Sequence, residues 1–402
     1  MKAKKNIGRR EFIKNSIFGA LSGGVYLSSL NRKTIIKNFS VKKESNKKNK
    51  EENIEYRKLG NIGYNASVVG FGAMLTNDPS VLERALDMGI NYIDTARSYK
   101  GGNNEIMVGK VIKKRRKDVF LTTKNKQRSM RTIVNDAEES LKALGTDYID
   151  CFLAHDLTSK EQAVNEDIMS ALEKLKKEGK ARYIGISAHS SEAEIIDAMI
   201  NSKFYDLLTV KYNYRSDEKL IKAVERANKA GIAVVAMKVM GGKWWTHVIT
   251  WRRGYTGHKM EDLNPCQAAL KWVINDKNIA TTIPSITSFQ QLDENFSIMG
   301  SKFSWSDRKT LDKFARMTDK LYCRMCGECS NICPENVNIP DIMRFLMYAD
   351  GYGELELGRD SYKSLSFNER ASKCIECNHC VVPCVNKLNI KERMLRAHSK
   401  LA

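Results

Sequence analysis

The chain has 402 residues, of which 42% are hydrophobic, enough to bury the core of one large domain and a smaller one. Its formal net charge is +20, but residues 1–50 carry +12 of this charge, with 14 Lys or Arg and 2 Asp or Glu. The rest of the chain is mildly basic with mixed signs, as on an ordinary solvated surface, and this distribution argues against nucleic-acid binding.

Residues 1–30 have the pattern of a signal segment. An R-R-x-F-x-K sequence at residues 9–14 precedes a weakly hydrophobic stretch from Ser16 to Leu30 that is too short and too polar to span a membrane. The similarity to twin-arginine signals implies that the twin-arginine export machinery carries the protein to a periplasmic or other extracytoplasmic location. A merely basic tail is the alternative. Residues 31–55 are predicted to be a flexible linker.

From residue 56 to residue 305, short apolar segments alternate with amphipathic helices. Eight strand–helix units in about 250 residues predict an α/β fold, the (β/α)8 TIM barrel. An open doubly wound sheet is the alternative, but it ordinarily carries G-x-G-x-x-G after its first strand, and Val69-Gly70-Phe71-Gly72 does not supply that motif. The strands are predicted at Val68–Gly72, Asn91–Asp94, Val119–Lys124, Tyr148–His155, Ala181–Ser187, Leu207–Lys211, Ile232–Lys238 and Thr281–Ile283.

Four polar side chains lie at or just after the ends of three adjacent predicted strands. Asp94 ends the second strand and Tyr99 follows it in the loop, while Lys124 and His155 end the third and fourth strands. Taken singly, each residue is typical of a solvated or structural position. Together they occupy the rim of the barrel where catalytic residues collect, so we treat them as candidate catalytic residues.

The segments around these residues resemble the catalytic segments of the aldo/keto reductase superfamily. The resemblance covers roughly residues 56–300 and rests on I-D-T-A-x-x-Y at residues 93–99, L-T-T-K at residues 121–124 and F-L-A-H at residues 152–155. It implies that hydride passes between NADP or NAD and a small-molecule carbonyl or alcohol substrate.

The resemblance also implies a role for each of the four side chains. Tyr99 would protonate the carbonyl oxygen, and His155 would orient the carbonyl and share the proton. Lys124, paired with Asp94, would lower the pKa of Tyr99 from its usual value of about 10.

Cofactor contacts are implied by the same resemblance. Ser187 on the fifth strand and Thr209 on the sixth would hold the nicotinamide carboxamide. Ser285, Gln291 and Asn295 lie in a segment that resembles the family's phosphate-binding loop and helix, where a helix N-terminus favours phosphate. Ser285 and Gln291 replace the Lys and Arg that usually bind the 2′-phosphate, so NAD and NADP both stay open.

Eight of the ten cysteines form two runs of the pattern C-x2-C-x2-C-x3-C. This pattern is typical of two [4Fe–4S] clusters, and the fourth cysteine of each run commonly ligates the other cluster. Structural zinc and disulfides fit the spacing poorly. Cys151 and Cys266, outside the runs, are expected to be packing residues. We expect one cluster on Cys323, Cys326, Cys329 and Cys384, and the other on Cys374, Cys377, Cys380 and Cys333.

Residues 306–402 are predicted to form a small, mostly helical dicluster ferredoxin-like domain. The offset of 51 residues between the runs extends to two predicted helix starts, because Asn338 is matched by Asn389. The domain is therefore predicted to have two similar halves. The combination of barrel and cluster domain resembles a ferredoxin-bearing branch of aldo/keto reductases. His379, inside the second run, is expected to be a solvated loop residue.

These features predict an exported oxidoreductase that transfers hydride between nicotinamide and a carbonyl or alcohol, and whose clusters exchange electrons with a redox partner protein. The alternative is an iron-sulfur electron-transfer protein whose barrel is a binding scaffold. Hydride carries two electrons whereas each cluster passes one, and the sequence has no flavin signature to convert between them. Aromatic residues in the predicted loop at 239–264 would contact the substrate or pack against the cluster domain.

Overall fold

A computed structural model of the protein describes residues 54–240, 264–318, 323–330, 332–377 and 380–402. The predicted signal segment, nearly all of the predicted linker, most of the aromatic loop after residue 240 and His379 lie outside the described residues. Within the described ranges, no helix combines the length and hydrophobicity that crossing a membrane requires.

Eight parallel strands, preceded by a β-hairpin, form the centre of the structure. The hairpin strands are β1 (Tyr56–Lys58) and β2 (Asn65–Ser67), and the parallel strands are β3 (Phe71–Gly72), β4 (Tyr92–Asp94), β5 (Phe120–Asn125), β6 (Ile149–Leu157), β7 (Ala181–Ala188), β8 (Leu207–Lys211), β9 (Ala233–Met237) and β10 (Thr281–Thr282). Neighbours pair in chain order from β3 to β10. Parallel bridges from Val69 to Thr282 and from Gly72 to Ser285 join the two ends of the sheet. The predicted (β/α)8 barrel is confirmed.

A glycine permits the barrel to close between β3 and β10. A Cβ atom added at Gly72 would lie 2.6 Å from the carbonyl oxygen of Ile283, which is closer than a side chain can pack. The amide of Gly72 donates to the carbonyl oxygen of Pro284 at 3.0 Å. Any larger residue at position 72 would therefore push these two chain segments apart and weaken the closing hydrogen bond.

Helices surround the barrel and continue beyond it. The barrel helices are α1 (Pro79–Asp87), α2 (Asn103–Ile112), α3 (Met130–Leu144), α4 (Lys160–Ala163), α5 (Glu166–Lys177), α6 (Glu192–Ser202), α7 (Glu218–Lys229), α8 (Pro265–Asn275), α9 (Phe289–Phe296) and α10 (Trp305–Thr318). Leu311 and Phe314 of α10 pack into the barrel core, although the sequence boundary at residue 305 assigns this helix to the cluster domain. The later helices are α11 (Ile339–Met347), α12 (Leu355–Lys363), α13 (Lys373–Glu376) and α14 (Ile390–Leu401).

The apolar core has three parts. The largest lies between the strands and the surrounding helices, and a second fills the barrel interior, where Leu59 and Ala66 of the hairpin region cover one end. Cys151 and Cys266 are buried in these two cores, as expected for packing residues. The third core lies in the cluster domain, between α11 and α14 among others, and five of the run cysteines pack against it.

The cluster domain lies against the end of the barrel at which the parallel strands terminate. Lys211, the last residue of β8, donates to the carbonyl oxygen of Met325 in the first cysteine loop. Lys238, just after β9, contacts the Met325 sulfur at 3.4 Å. From α11, Arg344 reaches Asp156 in β6. The cluster domain therefore covers the part of the barrel where the candidate catalytic residues lie.

Candidate active site

The ends of β4, β5 and β6 bring the predicted catalytic residues to one side of the barrel mouth. Asp94 is the last residue of β4, and the paired strand β5 places Lys124 beside it. His155 lies near the end of β6, the next strand in the sheet. Tyr99 begins a short 3-10 turn, Tyr99–Gly102, after β4. Parallel strands end at the same edge of a sheet, so residues far apart in the chain meet there.

Lys124 is held by a buried ion pair. Its Nζ lies 2.6 Å from Asp94 Oδ1 and donates to the carbonyl oxygen of Thr95 at 2.8 Å. The second oxygen of Asp94 accepts a hydrogen bond from Thr122 Oγ1 at 2.9 Å. Burial lowers the pKa of Lys124, and the charge of Asp94 opposes this effect. The ammonium is fixed at the base of the site rather than free in solvent.

Tyr99 lies close to both of the other functional groups. The Lys124 Nζ is 5.1 Å from the centroid of the Tyr99 ring, and the ring centroids of Tyr99 and His155 are 6.0 Å apart at an interplanar angle of 84°. The structure therefore brings together all four residues that the sequence singled out.

His155 is buried and neutral. Burial, followed by the cationic charges of Lys124 and Lys126, holds the pKa of His155 well below its usual value of 6.5. Its Nδ1 has no hydrogen-bond partner among the described residues. A neutral imidazole has one N–H donor and one acceptor nitrogen, so it can hydrogen-bond a carbonyl oxygen without adding positive charge.

Two hydroxyls at the predicted nicotinamide position are buried and unpaired. Ser187 on β7 and Thr209 on β8 are register partners in neighbouring strands. Both are fully buried, and neither hydroxyl has a hydrogen-bond partner in the part of the chain that the structure describes. Buried polar atoms are normally paired, so this pair fits the donor and acceptor of a carboxamide.

Part of the predicted phosphate-binding segment is hydrogen-bonded within its own turn. Gln291 Oε1 accepts hydrogen bonds from the amide and the hydroxyl of Thr287 at 2.8 and 3.0 Å. Asn295 on α9 is buried, and its amide group has no partner within the described ranges, which fits a ligand contact. Ser285 lines the cavity described below. None of the three predicted residues carries a charge for a 2′-phosphate.

A cavity of about 480 Å³ lies between the barrel mouth and the cluster domain. Tyr99, His155 and Ser285 line it from the barrel side. Tyr348 and Tyr352 line it from the cluster domain, with their rings stacked at a centroid distance of 5.8 Å. The cavity has the size of a small-molecule pocket, and three of the four candidate catalytic residues, Asp94, Tyr99 and His155, line it.

The cysteines of the two runs form two groups of four. Burial, and then the charges of Cys329, Cys326 and Cys384, raise the pKa of Cys323 to about 12. The pKa of Cys374 is raised to about 11 by burial and by the charges of Cys333, Cys377 and Cys380, and these four residues also line one small cavity. The structure thus brings the fourth cysteine of each run to the other run. Four thiols in each group are the donor set that a [4Fe–4S] cluster requires.

Comparison with known families agrees with this geometry. The model of the aldo/keto reductase family matches residues 76–316, more than half of the chain. The chain belongs to the aldo/keto reductase family. A 4Fe-4S dicluster domain is matched at residues 322–388.

Relatives of this aldo/keto reductase match its barrel part. The uncharacterized oxidoreductase YqkF of Bacillus subtilis is 28% identical over 281 residues, which are 61% of this chain and 91% of that protein. L-galactose dehydrogenase of Arabidopsis thaliana is 27% identical over 297 residues, 65% of this chain and 93% of that protein. The solved holo form of an aldo-keto reductase from Bacillus halodurans is 25% identical with a TM-score of 0.53, and the match covers 65% of this chain and 96% of that chain.

One expectation about this aldo/keto reductase needs correction. The resemblance implies that Lys124 lowers the pKa of Tyr99, but burial, and then the negative charge of Asp94, raise that pKa well above 10. The main physical reason is the burial of the phenol, and Asp94, whose Oδ1 lies 2.6 Å from Lys124 Nζ, offsets the charge of Lys124. Tyr348 and Tyr352 of the cluster domain add to the increase.

The residues that the cluster domain adds to the site of this aldo/keto reductase are not marked in its sequence. Tyr348 and Tyr352 belong to a single π-helical turn that continues α11. Such turns are rare and occur frequently at functional sites. Lys238, with an Nζ that lies 2.9 Å from His189 Nδ1, also lines the cavity and was not identified. In the sequence, Tyr348 and Tyr352 stand out only as an aromatic pair. No local pattern shows that this pair faces the barrel.

Proposed function

We propose that the protein transfers hydride between NADP or NAD and a small-molecule carbonyl or alcohol, with Tyr99 as the proton donor to the carbonyl oxygen. The observation that supports this proposal is that Tyr99 lies close to both Lys124 and His155, and that Tyr99 and His155 line one cavity. A nicotinamide cofactor, when bound, supplies or accepts the hydride. The protein must place the carbonyl and provide a proton as its oxygen gains charge.

The electrostatics of the site are consistent with reduction at neutral pH. Because the pKa of Tyr99 is raised well above 10, its phenol stays protonated through neutral and mildly alkaline pH and has a proton to give. Lys124 then lies near the phenolate that remains, and the neutral His155 offers its one N–H to the carbonyl oxygen.

The proposal is tested directly with the full-length protein purified without oxygen. NADH and NADPH are titrated by fluorescence, and reduction of a panel of aldehydes, ketones and sugars is followed at the nicotinamide absorbance. Sugars are included because one relative is named L-galactose dehydrogenase. If neither nucleotide binds and no carbonyl is reduced, the proposed function is wrong, and the electron-transfer scaffold becomes the better interpretation.

Ser187→Ala and Thr209→Val are each expected to weaken nicotinamide binding by about fivefold to tenfold, the cost of one neutral hydrogen bond. The hydroxyls are buried and unpaired without a ligand, so their removal should not destabilise the cofactor-free protein. Fluorescence titration gives the dissociation constant, and thermal unfolding of the cofactor-free protein gives the stability.

Ser140→Ala is the matched control. Ser140 also has a buried hydroxyl without a partner within the described residues, but it lies on α3, outside the barrel mouth. Unchanged nucleotide affinity in both Ser187→Ala and Thr209→Val would exclude the proposed carboxamide contact.

We further propose that each cysteine group binds one [4Fe–4S] cluster and that these clusters exchange electrons with a redox partner protein. The support is the dicluster domain match and the two groups of four thiols. The loop of the first group touches the barrel through Met325, so one cluster site lies beside the strand ends.

Export through the twin-arginine machinery is proposed from residues 9–14 alone. Arg9→Lys combined with Arg10→Lys is expected to retain the protein in the cytoplasm, because the machinery reads the arginine pair. Cell fractionation and blotting measure its location. Lys47→Arg combined with Lys48→Arg changes another basic pair of the same tail and should leave export unaltered. Export of the Arg9, Arg10 variant would contradict the proposal.

A further inference from the structure

The strand that carries His155 has an unusual backbone immediately after that residue. Asp156 adopts a left-handed conformation with φ of 66°, and the pairing of β6 with β7 shifts register between Ala154 and Leu157. Such a backbone is uncommon for residues other than glycine, although Asp adopts it more often than most. The contacts of the His155–Asp156 segment show what holds it in place.

Two arginines bind this segment, one that precedes it in the chain and one that follows it. Arg128 Nη2 donates to the carbonyl oxygens of His155 and Asp156 at 2.9 and 3.1 Å. Arg344 binds the Asp156 carboxylate with both of its terminal nitrogens, and its Nη2 donates to Oδ2 at 2.8 Å. Only 3% of the Arg344 surface and 9% of the Asp156 surface are exposed.

The second arginine belongs to the cluster domain. Arg344 lies on α11, whose side-chain cap is Asn338, five residues after the last cysteine of the first run. Its Nη2 also lies 2.9 Å from Asp341 Oδ1 in the same helix. A buried, two-pronged Arg–carboxylate pair is geometrically specific, and removal of one partner leaves an uncompensated buried charge.

We infer that Arg344 is a positioning residue for the catalytic histidine: through Asp156 it fixes the end of β6, and thereby makes the reductase site depend on the docked cluster domain. The description of His155 as catalytic rests on the proposed function, whereas the contact between Arg344 and Asp156 does not depend on it. The clusters then have a structural part in hydride transfer, in addition to any exchange of electrons.

The charges around His155 make the inference testable. Asp156 raises the pKa of His155, whereas Arg344 lowers it. Loss of Arg344 removes a nearby cation, although Lys126 still lies 3.5 Å from the Asp156 carboxylate. Loss of the Asp156 charge removes a nearby anion, although Asp341 still pairs with Arg344. The two changes should therefore shift the protonation of His155 in opposite directions. The groups that face His155 are Tyr99 after β4, Lys124 in β5, Lys126 after β5, Asp156 in β6, His189 after β7 and Arg344 in α11.

The experiment uses the full-length protein with its clusters and five variants. In Arg344→Met, the pH at which His155 protonates is expected to rise, and in Asp156→Asn it is expected to fall. Arg344→Lys keeps the charge and should stay near the original protein. Histidine ¹⁵N NMR titration gives the protonation, with the His155 signal assigned by its loss in His155→Gln. Arg396→Met is the control, because Arg396 is an exposed arginine of the cluster domain that pairs with Asp350 rather than with Asp156.

Measurements of kcat and of iron content distinguish a loss of His155 positioning from a loss of the clusters. Arg344→Met is expected to retain the iron of the original protein while kcat falls by ten- to a hundredfold, with Arg344→Lys restoring most of it. If Arg344→Met does not fold, a downward shift in Asp156→Asn against no shift in Arg344→Lys still tests the inference by NMR. Unchanged titration in the variants, or a shift of the same sign in both, would overturn the inference. The titration needs no turnover, so absence of carbonyl reduction in the original protein would count against the proposed function alone.

Discussion

Tyr99→Phe is expected to lower kcat for carbonyl reduction by about 10²- to 10⁴-fold, the usual contribution of a positioned general acid. The phenylalanine ring fills the same space but has no proton for the oxygen that gains charge. The ion pair of Lys124 with Asp94 does not involve Tyr99, so the base of the site should persist. Steady-state kinetics measure the loss, and nucleotide titration should show unchanged affinity.

Tyr64→Phe is a suitable control for this change. Tyr64 follows the hairpin turn at the opposite end of the barrel, where its hydroxyl makes long hydrogen bonds of 3.4 and 3.3 Å to the carbonyl oxygens of Asn91 and Asp118. Its loss should leave kcat unaltered. Substantial reduction by the Tyr99→Phe variant would mean that another group gives the proton, and the assigned role of Tyr99 would be wrong.

The barrel could be predicted because each strand–helix unit has local signals. Asp78 caps α1 by accepting a hydrogen bond from the amide of Ser80, and Pro79 occupies the first turn, as the sequence indicates. The repeat in the cluster domain is equally local, since Asn338 and Asn389 both cap the helices that follow them. Patterns of this kind need no knowledge of distant contacts.

The grouping of the four candidate catalytic residues could also be predicted, but their electrostatics could not. Strand ends meet at one edge of a parallel sheet whatever the rest of the chain does. The pKa of Tyr99 instead depends on how much water is removed from its ring, and Tyr348 and Tyr352 of the cluster domain contribute to that environment. The order of the two domains along the chain can be predicted from the sequence, but no pattern in the sequence indicates how they dock.

The contact between Arg344 and Asp156 could not be predicted from the sequence either. Neither residue is in a motif, and a lone arginine in an amphipathic helix is usually solvent-exposed. Its burial results from the docking of α11 against β6, two segments that are distant in sequence. Similarly, no local pattern in the sequence marks the left-handed backbone at Asp156, where Arg128 binds the carbonyl oxygen and Arg344 binds the carboxylate.

Cys384→Ser is expected to disrupt the cluster of the first cysteine run, although Cys384 belongs to the second run. The reason is the grouping of Cys384 with Cys323, Cys326 and Cys329, because a serine oxygen is a poor substitute for a cluster thiolate. The variant should retain about half of the iron and sulfide, since the other four thiols are untouched. Iron and sulfide analysis together with EPR of the reduced protein measure the effect.

Comparison of the EPR spectra of the variants decides between crossed and uncrossed ligation. In crossed ligation the fourth cysteine of each run binds the cluster of the other run, and in uncrossed ligation it binds the cluster of its own run. With crossed ligation, the EPR spectrum of Cys384→Ser should match that of Cys326→Ser, and the spectrum of Cys333→Ser should match that of Cys377→Ser. With uncrossed ligation, the pairings are exchanged, because each run then holds its own cluster. A Cys384→Ser spectrum that matches Cys377→Ser would therefore contradict the grouping of thiols that the structure shows. Crossed ligation also ties the two halves of the domain together. Arg344 on α11 then comes after Cys333 in the chain, and Cys333 binds the cluster whose other three ligands belong to the second run.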